Sequence, residues 1–428
     1  MGQTNKDYSG ERSKKALLYM IVVLMFVEIL DTYCTLYPTV IPSKVIAEFL
    51  VNNPENVAHS IYALCVAIAS IGTYFVLLNQ YLADRKGRKI LLAITVFGMG
   101  FSSLLIATAT NIVQYTIYLF MLYIFFSSDI WTIYISEECP PDKRGKWNTF
   151  VLMGGMIGAL LLPTFRSIFI TETMANWRGM TYFPIVLGLS LSLIILITFK
   201  ETQKFKEMRI RRATCEEKPK FIENMKLLFN STRRKELIVI LLVGLIAGLN
   251  TVFFRLIEAY WASSGHVNEA EINLLIYIIA VSVILGYLIT GIIADKWGRK
   301  PLLYVYSIMF PIVIIIVVLG VNLSGLTLLI VVGTSVGMAY IIGQGITIIA
   351  RLITVEITPT DARGTGSGLR SLIAAVGMTI GLFISSGLIL FFGLGLTFII
   401  LSLPHLIIVP LTYLFLKETK GINLSDIT

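Results

Sequence analysis

Carboxylates embedded in otherwise apolar sequence are the residues with the most chemistry to offer in this chain. The stretch LMFVEILDTYCTLYPTVIP holds Glu28 and Asp31. A spacing of three places both on one face of a helix. At about 1.5 Å per residue they lie roughly 18 and 22 Å from the start of the apolar run at Ala16. A charge at the centre of a bilayer costs on the order of 2.5–3.5 kcal/mol on insertion scales, so each such residue marks a function by default. Two neighbouring carboxylates in a low dielectric do not both ionise cheaply. One of the pair is therefore expected to hold a proton, which is what a proton-coupling site requires. The structural alternative is an arginine from another helix that neutralises the pair. A third acid, Asp129 in FFSSDIWTIY, sits about 12 Å from its helix end by the same rise. No basic residue stands at equal depth, and Arg370 is the nearest inward candidate. Arg255 and Glu258, also three apart, read as an interfacial ion pair, with a gate as the alternative. Arg351 reads as a cation that snorkels to the headgroups.

The elements that must position these groups are membrane spans. The chain has 428 residues, 56% hydrophobic and 14% charged, against about 25% charged in soluble proteins. Apolar runs long enough for about 20 helical residues recur, among them Ala16–Pro42, Ile90–Thr110, Ile112–Ser136, Leu237–Trp261 and Leu302–Val321. They predict an all-α membrane protein of twelve spans. The first apolar stretch, about 27 residues, exceeds the 7–15 residues of a signal-peptide core and is expected to remain as a helix. With both termini inside, 29 of the 35 Lys and Arg fall in inner loops and tails, Lys44, Arg166 and Arg178 fall outside, and Arg255, Arg351 and Arg370 lie within or at the edges of helices. That asymmetry predicts cytoplasmic termini in the plasma membrane. The charge of +9 is then a topology signal, strengthened by anionic inner-leaflet lipid, and does not point to nucleic acid. The bilayer is the implied partner, and the chain reads as a monomer. Four cysteines (Cys34, Cys65, Cys139 and Cys215) have no CxxC spacing, and three histidines are scattered. Neither a metal site nor a disulfide is expected, and no cofactor motif occurs.

The chain repeats itself. LADRKGRKILL at 82–92 returns as IADKWGRKPLL at 293–303, SEECPPDKRG at 136–145 as VEITPTDARG at 355–364, and FKETQ at 199–203 as LKETK at 416–420. The offsets of 211, 219 and 217 residues are close to half the chain, so six spans are followed by six more. The expected division is 1–199, a polar linker at 200–236 with one or two amphipathic surface helices such as FIENMKLLF, and 237–428. The paired DRKGRK and DKWGRK loops resemble the signature of the major facilitator superfamily. The paired E-x-x-P-x-x-x-R-G and the ending LKETKGINLSDI resemble its sugar porter branch. The resemblance spans nearly the whole chain and implies two six-helix bundles with a solute site between them.

In each half an Asp (Asp84, Asp295) stands at the negative end of its own helix, where a carboxylate needs an outside partner. A glycine (Gly87, Gly298) permits the turn that follows. Positive-inside anchoring accounts for the basic residues and leaves the Asp unexplained. The resemblance implies a cytoplasmic latch that clasps the opposite half, built from Asp84, Arg85, Gly87, Arg88, Glu137 and Arg144 with Asp295, Gly298, Arg299, Glu356 and Arg363.

The resemblance also assigns proton coupling to Asp31; Glu28 joins it by spacing, and Asp129 is a departure, an acid in span 4 where the branch usually carries an arginine. GLNTVFF at 248–254 is similar to the branch's solute-binding segment and makes Asn250 a candidate ligand residue, joined by Tyr33, Trp131, Gln344 and Arg370. The branch's binding glutamines are replaced by Gly244, Leu245 and Leu152, so a hexose would lose its usual amide partners. An acid-rich cavity lined by Tyr33, Tyr37, Trp131 and Tyr134 suits a cation, and once protons neutralise the acids it suits organic acids or polyols. Without a Walker loop, nucleotide fingerprint or nucleophile elbow, the expectation is no enzyme. A secondary transporter is expected, moving a small polar solute (sugar, polyol or organic acid) with protons by alternating access. Proton-antiport efflux of cationic or lipophilic compounds is the alternative.

Overall fold

The computed structural model describes residues 14–125, 130–139, 143–202, 205, 221–359 and 362–420. Eleven helical stretches among them are long and apolar enough to cross a membrane. Spans 1–6 are Lys15–Thr39, Glu55–Phe75, Arg88–Ala107, Ile112–Ile135, Lys146–Phe169 and Trp177–Thr198; spans 7–10 are Arg234–Ser263, Glu269–Trp297, Arg299–Gly320 and Gly325–Ile357. Residues 126–129 of span 4, Asp129 among them, lie outside the described set.

The last stretch, Gly364–Phe415, has 52 residues and would be about 78 Å long as one rod, more than twice a bilayer core. It breaks at Gly393, where φ is +71°. Beyond that break the chain runs back, so that Leu416 and Tyr413 offer their carbonyls to Lys300 at the opposite end of the bundle. Spans 11 and 12 are thus separate and the total is twelve, as expected.

Inside the halves, spans 1 and 5 and spans 3 and 6 pack side by side, as do spans 7 and 11 and spans 8 and 10. Between the halves, span 2 packs on span 11 and span 5 on span 8. Glycines set the closest pairs. A Cβ at Gly154 would fall 2.7 Å from the Met25 carbonyl and one at Gly158 2.6 Å from that of Ile29. Gly377 and Gly381 of span 11 meet the carbonyls of Leu245 and Leu249 in the same way. Each half thus uses one small-xxx-small stripe to bring two backbones together. The linker contributes a helix, Phe221–Asn230, where the amphipathic pattern places one.

Candidate functional site

Span 1 presents Glu28 and Asp31, with Thr32 and Thr35, to a cavity of about 1160 Å³ between the halves. Spans 4 and 5 add Trp131 and Leu152; span 7 adds Gly244 and Arg255; spans 10 and 11 add Gln344, Arg351 and Arg370. The volume is somewhat above the roughly 300–1,000 Å³ of most small-molecule sites. Its lining residues on the side away from the linker are sealed, with Leu162, Ile276, Glu258 and Trp261 all under 5% exposed. Toward the linker, Leu152 and Met153 are 44% and 51% exposed. The cavity therefore opens on the linker side.

The seal is polar. Arg166 of span 5 is fully buried and donates from Nε to the Val40 carbonyl at 2.8 Å, from Nη2 to Glu258 at 2.8 Å and Glu269 at 3.2 Å, and from Nη1 to Asn273 Oδ1. Glu258 also accepts from the Ser43 amide at 2.8 Å and hydroxyl at 2.5 Å. Lys44 pairs with Glu269, and Asn273 donates to the Ile170 carbonyl at 3.1 Å. Two cations from the first half thus meet two carboxylates from the second. An isolated buried charge would be costly, and here each has a partner and further hydrogen bonds. The Arg255–Glu258 pair expected from their spacing does not form. Glu258 faces across the halves to Arg166, whereas Arg255 donates to Tyr123 Oη at 2.9 Å and to the Thr35 carbonyl at 3.3 Å. Two residues on one turn can point to different neighbours, and each found a better partner outside its own helix.

On the linker side the repeated motifs build the same network twice. Gly87 and Gly298 adopt φ of +113° and +102°, conformations that a side chain disfavours. In the first half Arg88, 3% exposed, donates to the Ala83 carbonyl and to Glu137, each at 3.2 Å. Thr202 donates to the other Glu137 oxygen at 2.6 Å, and Glu201 accepts from the Arg88 and Lys89 amides. In the second half Arg299 donates to the Ala294 carbonyl at 3.1 Å and to Glu356 at 3.2 Å; Thr419 donates to Glu356 at 2.5 Å, and Glu418 accepts from the Arg299 and Lys300 amides at 3.0 Å. Burial raises the Glu418 carboxyl, but four backbone amides outweigh it and hold the group below the usual carboxylate range. Asp295 pairs with Arg299 at 3.1 Å, and Arg144 donates to the Cys139 carbonyl at 2.9 Å. These contacts run within each half. Arg85 has contacts of its own; the side chains of Asp84 and Arg363 lie outside the described set.

Of the candidate solute and proton residues, the cavity gathers Glu28, Asp31, Trp131, Gln344 and Arg370. Tyr33 is elsewhere. Two positions past Asp31 it lies on the other helix face, fully buried among Tyr37, Phe165 and Phe183, and donates to the Met180 carbonyl at 2.9 Å. Tyr37 and Tyr134 are likewise core residues. Asn250 sits at the break in span 7 between helices Arg234–Leu249 and Thr251–Ser263, fully buried, with neither amide atom bonded among the described residues. Arg351 lines the cavity and is exposed. Sequence reasoning does not assemble the sealing residues Ser43, Lys44, Arg166, Glu258, Glu269 and Asn273. One signal points toward them: the three basic residues assigned to the outer side, Lys44, Arg166 and Arg178, each hold a carboxylate, Arg178 pairing with Glu48 at 2.7 Å.

The family profile described as Major Facilitator Superfamily matches residues 21–351 and again 240–426. The sialic acid transporter NanX of Escherichia coli K12 is 24% identical over 337 residues, 75% of this chain and 76% of that protein. The putative metabolite transport protein YncC of Bacillus subtilis 168 is 24% identical over 409 residues, 85% of this chain and 84% of that protein. Among solved structures, a D-xylose-proton symporter superposes with a TM-score of 0.74 at 18% identity, covering 95% of this chain and 99% of that one.

Proposed function

The chain belongs to the major facilitator superfamily, a multi-pass transporter and not an enzyme, and we propose that it moves a small polar organic solute with protons by alternating access. The observation that carries this reading is a cavity sealed on one side by a cross-half ion network and open on the other, with the Glu28–Asp31 pair in its wall. On this reading the linker side is the cytoplasm, the molecule is inward-facing, and the seal is the outer gate. Breaking the Arg166 network and closing the linker side exchanges the cavity's access. Asp31 carries the coupling proton, and Glu28, one turn away, raises the cost of its charge. The Asp84 and Asp295 loops act as latches in the outward-facing state, which accords with contacts that stay inside each half here. Among the named relatives, NanX is a sialic acid transporter, which supports a hydroxylated metabolite as solute.

Vesicles carrying the purified chain test this. A pH gradient should drive accumulation of a solute, and Asp31→Asn should retain exchange of that solute but lose the uphill component. Normal accumulation by Asp31→Asn would move the coupling role elsewhere, to Asp129 first. The largely apolar wall, with Phe254, Phe310 and Tyr340, favours a second reading, proton-antiport efflux of cationic or lipophilic compounds. The direction of the gradient that drives flux separates the two.

A further inference from the structure

Arg370 is 7% exposed and lines the cavity, about two turns into span 11. Its Nη2 donates to Ser371 Oγ at 3.1 Å, and among the described residues its Nε has no acceptor and the guanidinium makes no ion pair. Arg351 of span 10, also in the wall, makes no ion pair among the described residues either. The other charges of the cavity are engaged: Glu258 by Arg166, Arg255 by Tyr123 and Thr35, and Glu28 and Asp31 in contacts of their own. Beside Arg370 the wall is small. A Cβ on Gly244 would meet only Ala374 Cβ and the Arg370 carbonyl, both at 3.8 Å.

A guanidinium that is buried without a counter-charge is expensive to keep. Its planar edge, with one N–H unsatisfied, matches a carboxylate's two oxygens. We infer that the solute bears a carboxylate, which Arg370 binds as counter-ion while Arg351 draws it in from the open side. Glu28 and Asp31 in the same wall disfavour a dianion, so a monocarboxylate fits best. Carried with one proton, such an anion would cross with no net charge. The inference rests on the reading of this cavity as the solute path and names the solute's class.

The test is a thermal-shift screen of the purified chain at fixed pH against matched solutes: gluconate with sorbitol, glucuronate with glucose, lactate with propanediol, and glucose 6-phosphate and choline as contrasts. Stabilisation is expected from a carboxylate and not from its neutral partner. Arg370→Met should weaken that binding about tenfold or more, and Arg370→Lys, which keeps the charge but not the fork, should weaken it less. If the methionine variant does not fold, the lysine variant alone must still weaken binding. The proposal is overturned if no carboxylate stabilises the wild type, if the phosphate, choline or a neutral sugar does so instead, or if carboxylate binding survives the loss of Arg370. The screen uses no gradient and reads binding only. A chain that binds carboxylates through Arg370 yet moves them independently of pH keeps this inference and loses the coupling reading.

Discussion

Replacing Arg166 by methionine removes one guanidinium and leaves Glu258, 1% exposed, with only Ser43 for company. Taking one partner from a buried ion pair costs about 3–5 kcal/mol, because the survivor is left charged and dry. That cost falls on the sealed conformation alone, since opening hydrates Glu258. At about 1.4 kcal/mol per decade, the equilibrium should move toward the far-side-open state by two to three and a half decades. The assay is the reaction of a cysteine placed at Thr39, in the cavity wall beside the seal, with an impermeant maleimide in a background where the native cysteines are serine. The labelling rate from the far side should rise steeply in Arg166→Met. Adding Glu258→Gln should restore much of the closure, because the stranded charge is gone. Arg166→Lys should be intermediate, since one ammonium does not reach four acceptors. An unchanged labelling rate in Arg166→Met, or a double variant as open as the single one, would refute the assignment of the seal to this pair.

Glu28→Gln should weaken coupling less than Asp31→Asn, measured as the steady-state accumulation ratio at a fixed pH gradient. Glu201→Ala and Glu418→Ala should each destabilise the chain by about 1 kcal/mol, less than the roughly 1.5–3 kcal/mol of a hydrogen bond to a charged group because solvent screens these partly exposed carboxylates. Their effects should add in a denaturation series, because they act in separate halves. Hydrogen bonds from Arg178, opposed by burial and aided by Trp177, hold the Glu48 carboxyl below the usual range. A lowered folded-state value means that its stabilisation is complete above the ordinary carboxylate range and is lost as pH falls through the lowered one. Trp177 fluorescence should report that acid transition, and Glu48→Gln should abolish it.

The spans, the duplication and the acid pair of span 1 are legible in local sequence pattern. Each needs only apolar run length, repeated strings or a spacing of three. The seal is hidden because it depends on the azimuth and depth of residues from four helices: the short Pro42–Phe49 helix and spans 5, 7 and 8. Arg166 and Glu258 are 92 positions apart, and nothing in either stretch names the other. Neighbours mislead where they look most informative: Arg255 and Glu258 resemble a pair and serve different partners. Nearness in sequence to Asp31 draws Tyr33 toward the cavity, although two residues along a helix turn the side chain to the far face. The roles of Glu201 and Glu418 come from amides 113 and 119 residues away, a distance that no window of sequence covers.

The glycine stripe of span 5 has a mechanical meaning. Gly154 and Gly158 press against the span 1 backbone, and a Cβ on Gly155 would come within 3.0 Å of Glu28 Oε1. Eleven residues beyond, about 16 Å along the same helix, stands Arg166. The acid pair and the guanidinium of the seal therefore sit on one packed two-helix unit, and Pro163 stands between them in span 5, where its missing amide leaves a gap in the helix's hydrogen-bond ladder. A change of charge at one end has little room to be absorbed by sliding along the glycine stripe, and the place where span 5 can bend in response is Pro163, three residues before the guanidinium.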